Sequence, residues 1–224
     1  MASRKKKAPA TTGGNEFAND AERSKADILA VATEEFATYG LSGARVDAIA
    51  KRTRTSKRMI YYYFKGKEGL YRAVLEKAYS EIRSIDSQVG IEDAEPVEAI
   101  RKIVEITFDY DETHPFFISL VAVENVHRGR NIAKLPSIKQ SSASVIRVLN
   151  AILERGAKQG VFRSNVNAVD LHLFISAFCV FRVSNRFTFG KIFDCDLSDP
   201  TVRARHKKIF TEAVLRYLEP RPNG

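Results

Sequence analysis

"TSKRMIYYYF", Thr55 to Phe64, is the stretch on which the reading of this chain turns. Three consecutive tyrosines stand close behind Lys57 and Arg58. Three large rings in a row cannot all face one core, so at least one must point at solvent or at a partner. On a helix, about 100° per residue gathers Ile60, Tyr63 and Phe64 on one side. Lys57 and Tyr61 then lie one above the other on the opposite side, as do Arg58 and Tyr62. The rings divide: Tyr63 goes inward, while Tyr61 and Tyr62 go outward beside two cations.

The surroundings carry the same suggestion. Residues 42–67 hold eight basic side chains (Arg45, Lys51, Arg52, Arg54, Lys57, Arg58, Lys65 and Lys67) against one acid, Asp47. The rest of the chain from Lys67 onward is nearly balanced, with 23 basic and 20 acidic residues, so much of the net +9 is concentrated here. A local field of that kind suits a polyanion. Lysine or arginine can donate to guanine N7 and O6, and a tyrosine can pack on a thymine methyl or donate to phosphate.

Helical periodicity extends on both sides. Leu29, Ala32, Phe36 and Tyr39 recur every three or four residues, and Gly40 stands where a helix C-terminus favours glycine. Val46, Ile49, Ala50 and Thr53 share a face of a short second helix. Ser56 is placed to cap a third helix that carries the tyrosines and breaks at "KGK". A fourth, longer helix begins near Lys67 with Leu70, Val74, Leu75, Ala78 and Ile82. Two short helices joined by a tight turn inside such a series form a helix-turn-helix layout.

Ile28 to Leu75 resembles the DNA-binding domain of the TetR family of bacterial transcriptional regulators. The succession "F..YG", "V..IA", "TSK...YYYF" and "KE.L" carries the likeness. The resemblance implies that Lys57, Arg58 and Tyr61 face bases and that Tyr62 meets the phosphate backbone. Arg45 and Lys67 match backbone-contacting positions at the starts of the second and fourth helices, where exposed N–H groups favour phosphate. Thr55 and Ser56, in the matched turn, complete the implied DNA-contacting set. Two positions depart from the family pattern. Ala44 stands where a threonine cap is usual, with Ser42 as a candidate substitute. Arg54 occupies the usual glycine of the turn, at a cost of roughly 1 kcal/mol if the backbone there is left-handed.

The remainder reads as helices opening at Pro96, Pro115 and near Ser137, then "AVDLHLFISAFCVFRVSNRF", then a last helix capped by Ser198 or Asp199. The expected architecture is all-α, with about nine helices. A basic, Gly/Pro-containing tail spans 1–20, a helix-turn-helix domain 21–66, and a larger effector-binding and dimerisation domain 67–224. The tail reads either as a disordered extension or as an arm along a DNA groove. The resemblance implies a homodimer joined by segments 168–189 and 199–218, with Ile175, Phe181, Arg182, Ile209 and Leu215 as interface candidates. It also implies a small-molecule effector, an aromatic compound being one candidate. The pocket candidates are Phe108, Phe117, Val121, Glu124, Asn125 and Arg128, together with His172, Phe174 and Phe178.

Other classes find little footing. The longest nearly continuous apolar run, "LHLFISAFCVF", is about half a bilayer span, and no signal-peptide core follows the basic start. Cys179 and Cys195 are too few for a disulfide framework, which fits a reducing cytoplasm. No phosphate loop, HExxH or Gly-x-Ser-x-Gly motif is present, so neither an enzyme nor a cofactor is expected. Asp109, Asp111, Glu112 and His114 crowd one helix end and leave open a metal-using helical enzyme. A constitutive, architectural DNA-binding protein, whose larger domain only dimerises, is the other alternative.

Overall fold

A computed structural model describes residues 13–88 and 93–220, with side chains from 20–82 and 93–220. Ten α-helices and one short 3-10 turn, with no strand, make up the described residues. Residues 1–12 of the expected tail lie outside them. Residues 13–20 do not continue the tail; they form the first turns of α1.

Helix α1, Gly13–Gly43, is broken at Gly40, whose φ of 65° only glycine adopts freely. Its buried stripe is Ile28, Ala32 and Phe36, four residues apart. Tyr39, expected on that stripe, is instead 60% exposed. Helices α2 (Val46–Arg52) and α3 (Lys57–Phe64) close against α1 and the start of α4 (Lys67–Gln88). Val46, Ile49, Ala50 and Ile60 meet Leu70, Tyr71, Val74 and Leu75 in one core. The head core thus runs past Lys67 into the first turns of α4. Gly69 allows this approach, because a Cβ there would meet the Phe64 carbonyl oxygen at 1.7 Å.

Behind the head, α5 (Pro96–Thr113) packs against α7 (Pro136–Lys158), α8 (Ala168–Ser184) and α10 (Pro200–Leu218). Their core joins Ile100, Val104, Leu149, Ile152, Leu171, Phe210 and Val214. Helix α6 (Pro115–Val126) crosses α1 and links the two bodies of core. Asn167 caps α8 and Asp199 caps α10 through their side-chain oxygens.

The tenth helix was not expected. The segment read as one helix over 168–189 turns by 72° at Asn185 into α9, Arg186–Phe193. Ser184 and Asn185 bond to each other and to nearby backbone, an alternative to continuing the helical ladder. No single described helix is long and apolar enough to cross a membrane.

Candidate nucleic-acid interface and interior cavity

The turn between α2 and α3 holds Arg54 in the left-handed region, φ 53°, so the strain foreseen for a non-glycine there is real. Thr55 N–H donates to Ala50 O at 3.0 Å and closes the turn. Ser56 Oγ accepts from Met59 N at 3.2 Å and caps α3. The start of α2 has no side-chain cap from Ser42 or its neighbours. Glu35 takes that part: buried on α1, it accepts from Arg45 N at 2.9 Å. A carboxylate at a helix N-terminus satisfies an orphan donor and complements the dipole. The ten-residue separation hides this cap from any local motif.

With Ile60 fully buried, α3 presents Lys57, Arg58, Tyr61 and Tyr62 to solvent. Tyr61 is 42% and Tyr62 67% exposed. Tyr63 is half-buried against the head core. Tyr62 packs edge-on to Tyr63, with Lys65 Nζ 5.5 Å from its ring centre. Lys57 meets Asp47 at 3.1 Å, an exposed pair that competing phosphate can replace. Among the described residues Arg58 has no hydrogen-bond or ion-pair partner. Lys67 Nζ donates to Ser42 O at 3.0 Å and ties the α4 start to the α1–α2 turn. Arg45, fixed through its backbone by Glu35, has an exposed side chain.

Farther from this face, α4, α5, α6, α7 and α8 line a cavity of about 180 Å³. Its walls include Tyr79, Ile103, Ile106, Tyr110, Val145 and Val180, with Thr107 and Ser176 as hydroxyls. Of the expected pocket residues, Phe117, Val121 and His172 line it. The others lie elsewhere. Phe108 is buried under the Arg182 guanidinium, 4.9 Å away. Phe174 and Phe178 pack on Phe210 across the α8–α10 contact. Asn125 is exposed and bonds Val121 O, and Arg128 is exposed in a left-handed turn. Glu124 faces the α6–α7 connection, accepting from Asn131 N, Asn131 Nδ2 and Ile132 N at 2.9–3.2 Å. Burial alone would raise its pKa, but these donors hold it below the ordinary value.

Among the lining residues that the pocket reading missed, Asp111 carries a carboxyl. Asp111 is 2% exposed, and no described hydrogen bond reaches its carboxyl. Burial, then the neighbouring Glu112, push its pKa up to about 7. The signal was available, since Val104, Phe108 and Asp111 continue one buried stripe at spacings of four and three.

The acidic helix end divides rather than gathering around a metal. Asp109 turns to Arg203 at 2.8 Å and Lys207 at 2.9 Å. Glu112 turns to Arg182 at 2.8 Å and Arg186 at 3.4 Å. His114 stacks on Tyr110, ring centres 3.9 Å apart. Among the expected interface residues, Ile175 and Arg182 are interior, 1% and 3% exposed. Arg182 also donates to Leu197 O at 2.8 Å. Leu215 is half-buried against its own core, whereas Phe181 and Ile209 are exposed. Phe187, Ile192 and Phe193 on α9 extend the exposed apolar surface next to Phe181.

A basic helix-turn-helix head on a larger helical body with an interior cavity is the build of a one-component transcriptional regulator. Residues 28–74 match the family described as "Bacterial regulatory proteins, tetR family", and residues 96–214 match "Tetracyclin repressor-like, C-terminal domain". The HTH-type transcriptional repressor NicS of Pseudomonas putida is 32% identical over 201 residues, 90% of this chain and 95% of that one. The HTH-type transcriptional repressor SCO4008 of Streptomyces coelicolor is 32% identical over 69% of this chain and 75% of its own length. The transcriptional regulator SCO4942 of Streptomyces coelicolor superposes with a TM-score of 0.66 at 25% identity, covering 89% of this chain and 99% of that one. FadR of Bacillus subtilis, in complex with stearoyl-CoA, shares the fold with a TM-score of 0.65 at 18% identity, covering 86% and 98%. The chain belongs to the TetR family of bacterial regulatory proteins.

Proposed function

We propose that this regulator is a repressor that binds a palindromic operator as a homodimer and leaves it when a small molecule occupies the cavity. The carrying observation is the outward face of α3, where Lys57, Arg58, Tyr61 and Tyr62 stand exposed on a helix locked by Ile60. In this reading Lys57, Arg58 and Tyr61 meet base edges in the major groove. Arg45, Tyr62 and Lys67 hold phosphates, with the Thr55 and Ser56 hydroxyls on the same surface. Residues 21–66 form the reading head and 67–224 the effector-binding and dimerisation body, acting in the cytoplasm.

Two such heads must be spaced for half-sites about one helical turn apart. The exposed Phe181, Phe187, Ile192, Phe193 and Ile209 supply an apolar face for a second copy. Helix α6 is the link to the head. Phe117 and Val121 face the cavity, and Val123, two residues on, packs over Gly40 at the break in α1. Occupancy that favours another setting of α6 changes head spacing by population shift, and DNA weakens effector binding by the same factor. The repressors among its relatives and the ligand complex of FadR in the same fold support this reading. A sealed, filled body would have favoured constitutive binding; the cavity weighs against it. The test is binding of the purified chain to DNA upstream of its own gene across a salt series. Sequence-preferring, salt-sensitive binding is expected, and binding indifferent to sequence overturns the proposal.

A further inference from the structure

The cavity is lined mainly by hydrocarbon and rings, yet one wall carries a carboxyl that no described hydrogen bond or ion pair reaches. Asp111 is 2% exposed, and its strongest charged neighbour, Glu112, has the same sign. The nearest candidate counter-ions are engaged elsewhere. Arg182 and Arg186 pair with Glu112, while Arg203 and Lys207 pair with Asp109. From α8, Cys179 approaches Asp111, its thiol pushed up first by burial and then by Asp111 itself. His172 lines the same cavity from α8, and Tyr79 and Tyr110 line it from α4 and α5. A buried carboxyl without a partner is costly in a structural role, and buried acids at cavities mark functional positions.

Size and shape narrow the class. An engineered cavity of about 150 Å³ takes up benzene, so about 180 Å³ admits one ring with a short substituent. The Phe117 ring lies edge-on to Tyr79 and Tyr110, centres 5.2 and 6.1 Å away. Aromatic faces attract cations, as does a carboxylate, and the attraction grows when water is excluded. An anion would meet Asp111, the carboxyl on the cavity wall. The potential and the shape therefore select in the same direction.

We infer that the effector is a single-ring amine or similar small aromatic cation, anchored by its protonated nitrogen on Asp111. This rests on the cavity being the effector site. Burial raises the pKa of the carboxyl to about 7, and a bound cation stabilises its ionised form. Asp111 is then the specificity residue, and the rings set the size limit.

The test is calorimetric titration of the full chain at about pH 8 with benzylamine, benzyl alcohol and benzoate, each alone. Benzylamine is expected to bind about tenfold or more tighter than the other two. Asp111→Asn, a near-isosteric change, is expected to erase that preference while leaving benzyl alcohol within about threefold. Val121→Trp, which fills the cavity, is expected to abolish all binding. Benzoate or benzyl alcohol binding best, or a preference for the amine that survives Asp111→Asn, overturns the amine assignment but leaves the cavity as effector site. No binding by any probe, or binding that Val121→Trp leaves intact, overturns the effector-site reading and this inference with it.

Discussion

Two interiors in this molecule are filled by different rules. Behind the α2–α3 turn lie Phe36, Ile49, Ile60, Leu70 and Tyr71, all fully buried, with the Phe36 and Tyr71 rings edge-on at 5.0 Å. Between α5 and α8 the packing admits a cavity, a buried Asp111 that no described hydrogen bond reaches, and an Arg182 held by Glu112. A close-packed apolar core transmits force without changing shape. A core with polar groups and space has alternatives that a ligand can select. In the proposed mechanism the head holds one geometry and the body is the part that changes.

The sharpest way to break this contrast is at Arg182. Its side chain is 4% and that of Glu112 7% exposed, so removing the arginine leaves a buried carboxylate with only the longer Arg186 contact. Arg182→Ala is expected to lower stability by roughly 3–5 kcal/mol, read as a shift in the urea midpoint. If the loss is under about 1 kcal/mol, the pair behaves as a surface contact and the body has no buried ionic frame.

Asp111 tests the contrast with the opposite sign. Its folded pKa of about 7 lies above the ordinary 3.8, so folding favours the protonated form. The cost of ionising it is absent below about pH 4, grows up to about pH 7 and is complete above that. Asp111→Asn is therefore expected to stabilise the protein at about pH 8, by up to roughly 4 kcal/mol. The gain should fade toward about pH 4, where the parent carboxyl is neutral as well. A gain that does not vary with pH would place the effect in packing rather than charge.

On the head, variants should leave the fold intact and change recognition. Arg58→Ala and Tyr61→Ala are each expected to weaken operator binding by roughly 1–3 kcal/mol and to relax sequence choice. Lys67→Ala should weaken all sequences alike and lower the salt slope by about one. Competition binding against base-substituted operators checks this, and identical behaviour of all three variants would sink the division into base and phosphate roles.

The head was far more legible in the sequence than the body, and the same contrast explains why. Its helices are short, punctuated by Gly40, Ser56 and the "KGK" break, and each buries one stripe. Its hydrogen-bond partners are nearer in sequence, the longest described reach being from Lys67 to Ser42, while Glu35 caps α2 across ten residues. In the body, α8 is apolar on most sides, so periodicity cannot say which ring faces inward. Ile175 and Arg182 read as interface residues yet lie inside, and Phe174 and Phe178 read as pocket walls yet pack on Phe210. Those assignments depend on tertiary partners 24 to 70 residues away, such as His206 and Glu112. The bend at Asn185 was hidden for a related reason. Ser184 and Asn185 weaken a helix only slightly, and local side-chain bonding decides the outcome.

The smallest expected effect lies at Arg54, where the two demands on the head meet in one residue. Its φ of 53° carries the left-handed strain that glycine would relieve. Glycine also frees the unfolded chain, which offsets part of the gain. Arg54→Gly is thus expected to change stability by no more than about 0.5 kcal/mol, in the stabilising direction. If the exposed guanidinium touches phosphate, the same change should lower the salt slope of operator binding by about one. A more stable head with weaker, less salt-sensitive binding would show that strain is retained there for charge. A head destabilised by more than about 1 kcal/mol would mean that Arg54 supports the turn itself, and the residue would then belong to the fold rather than to recognition.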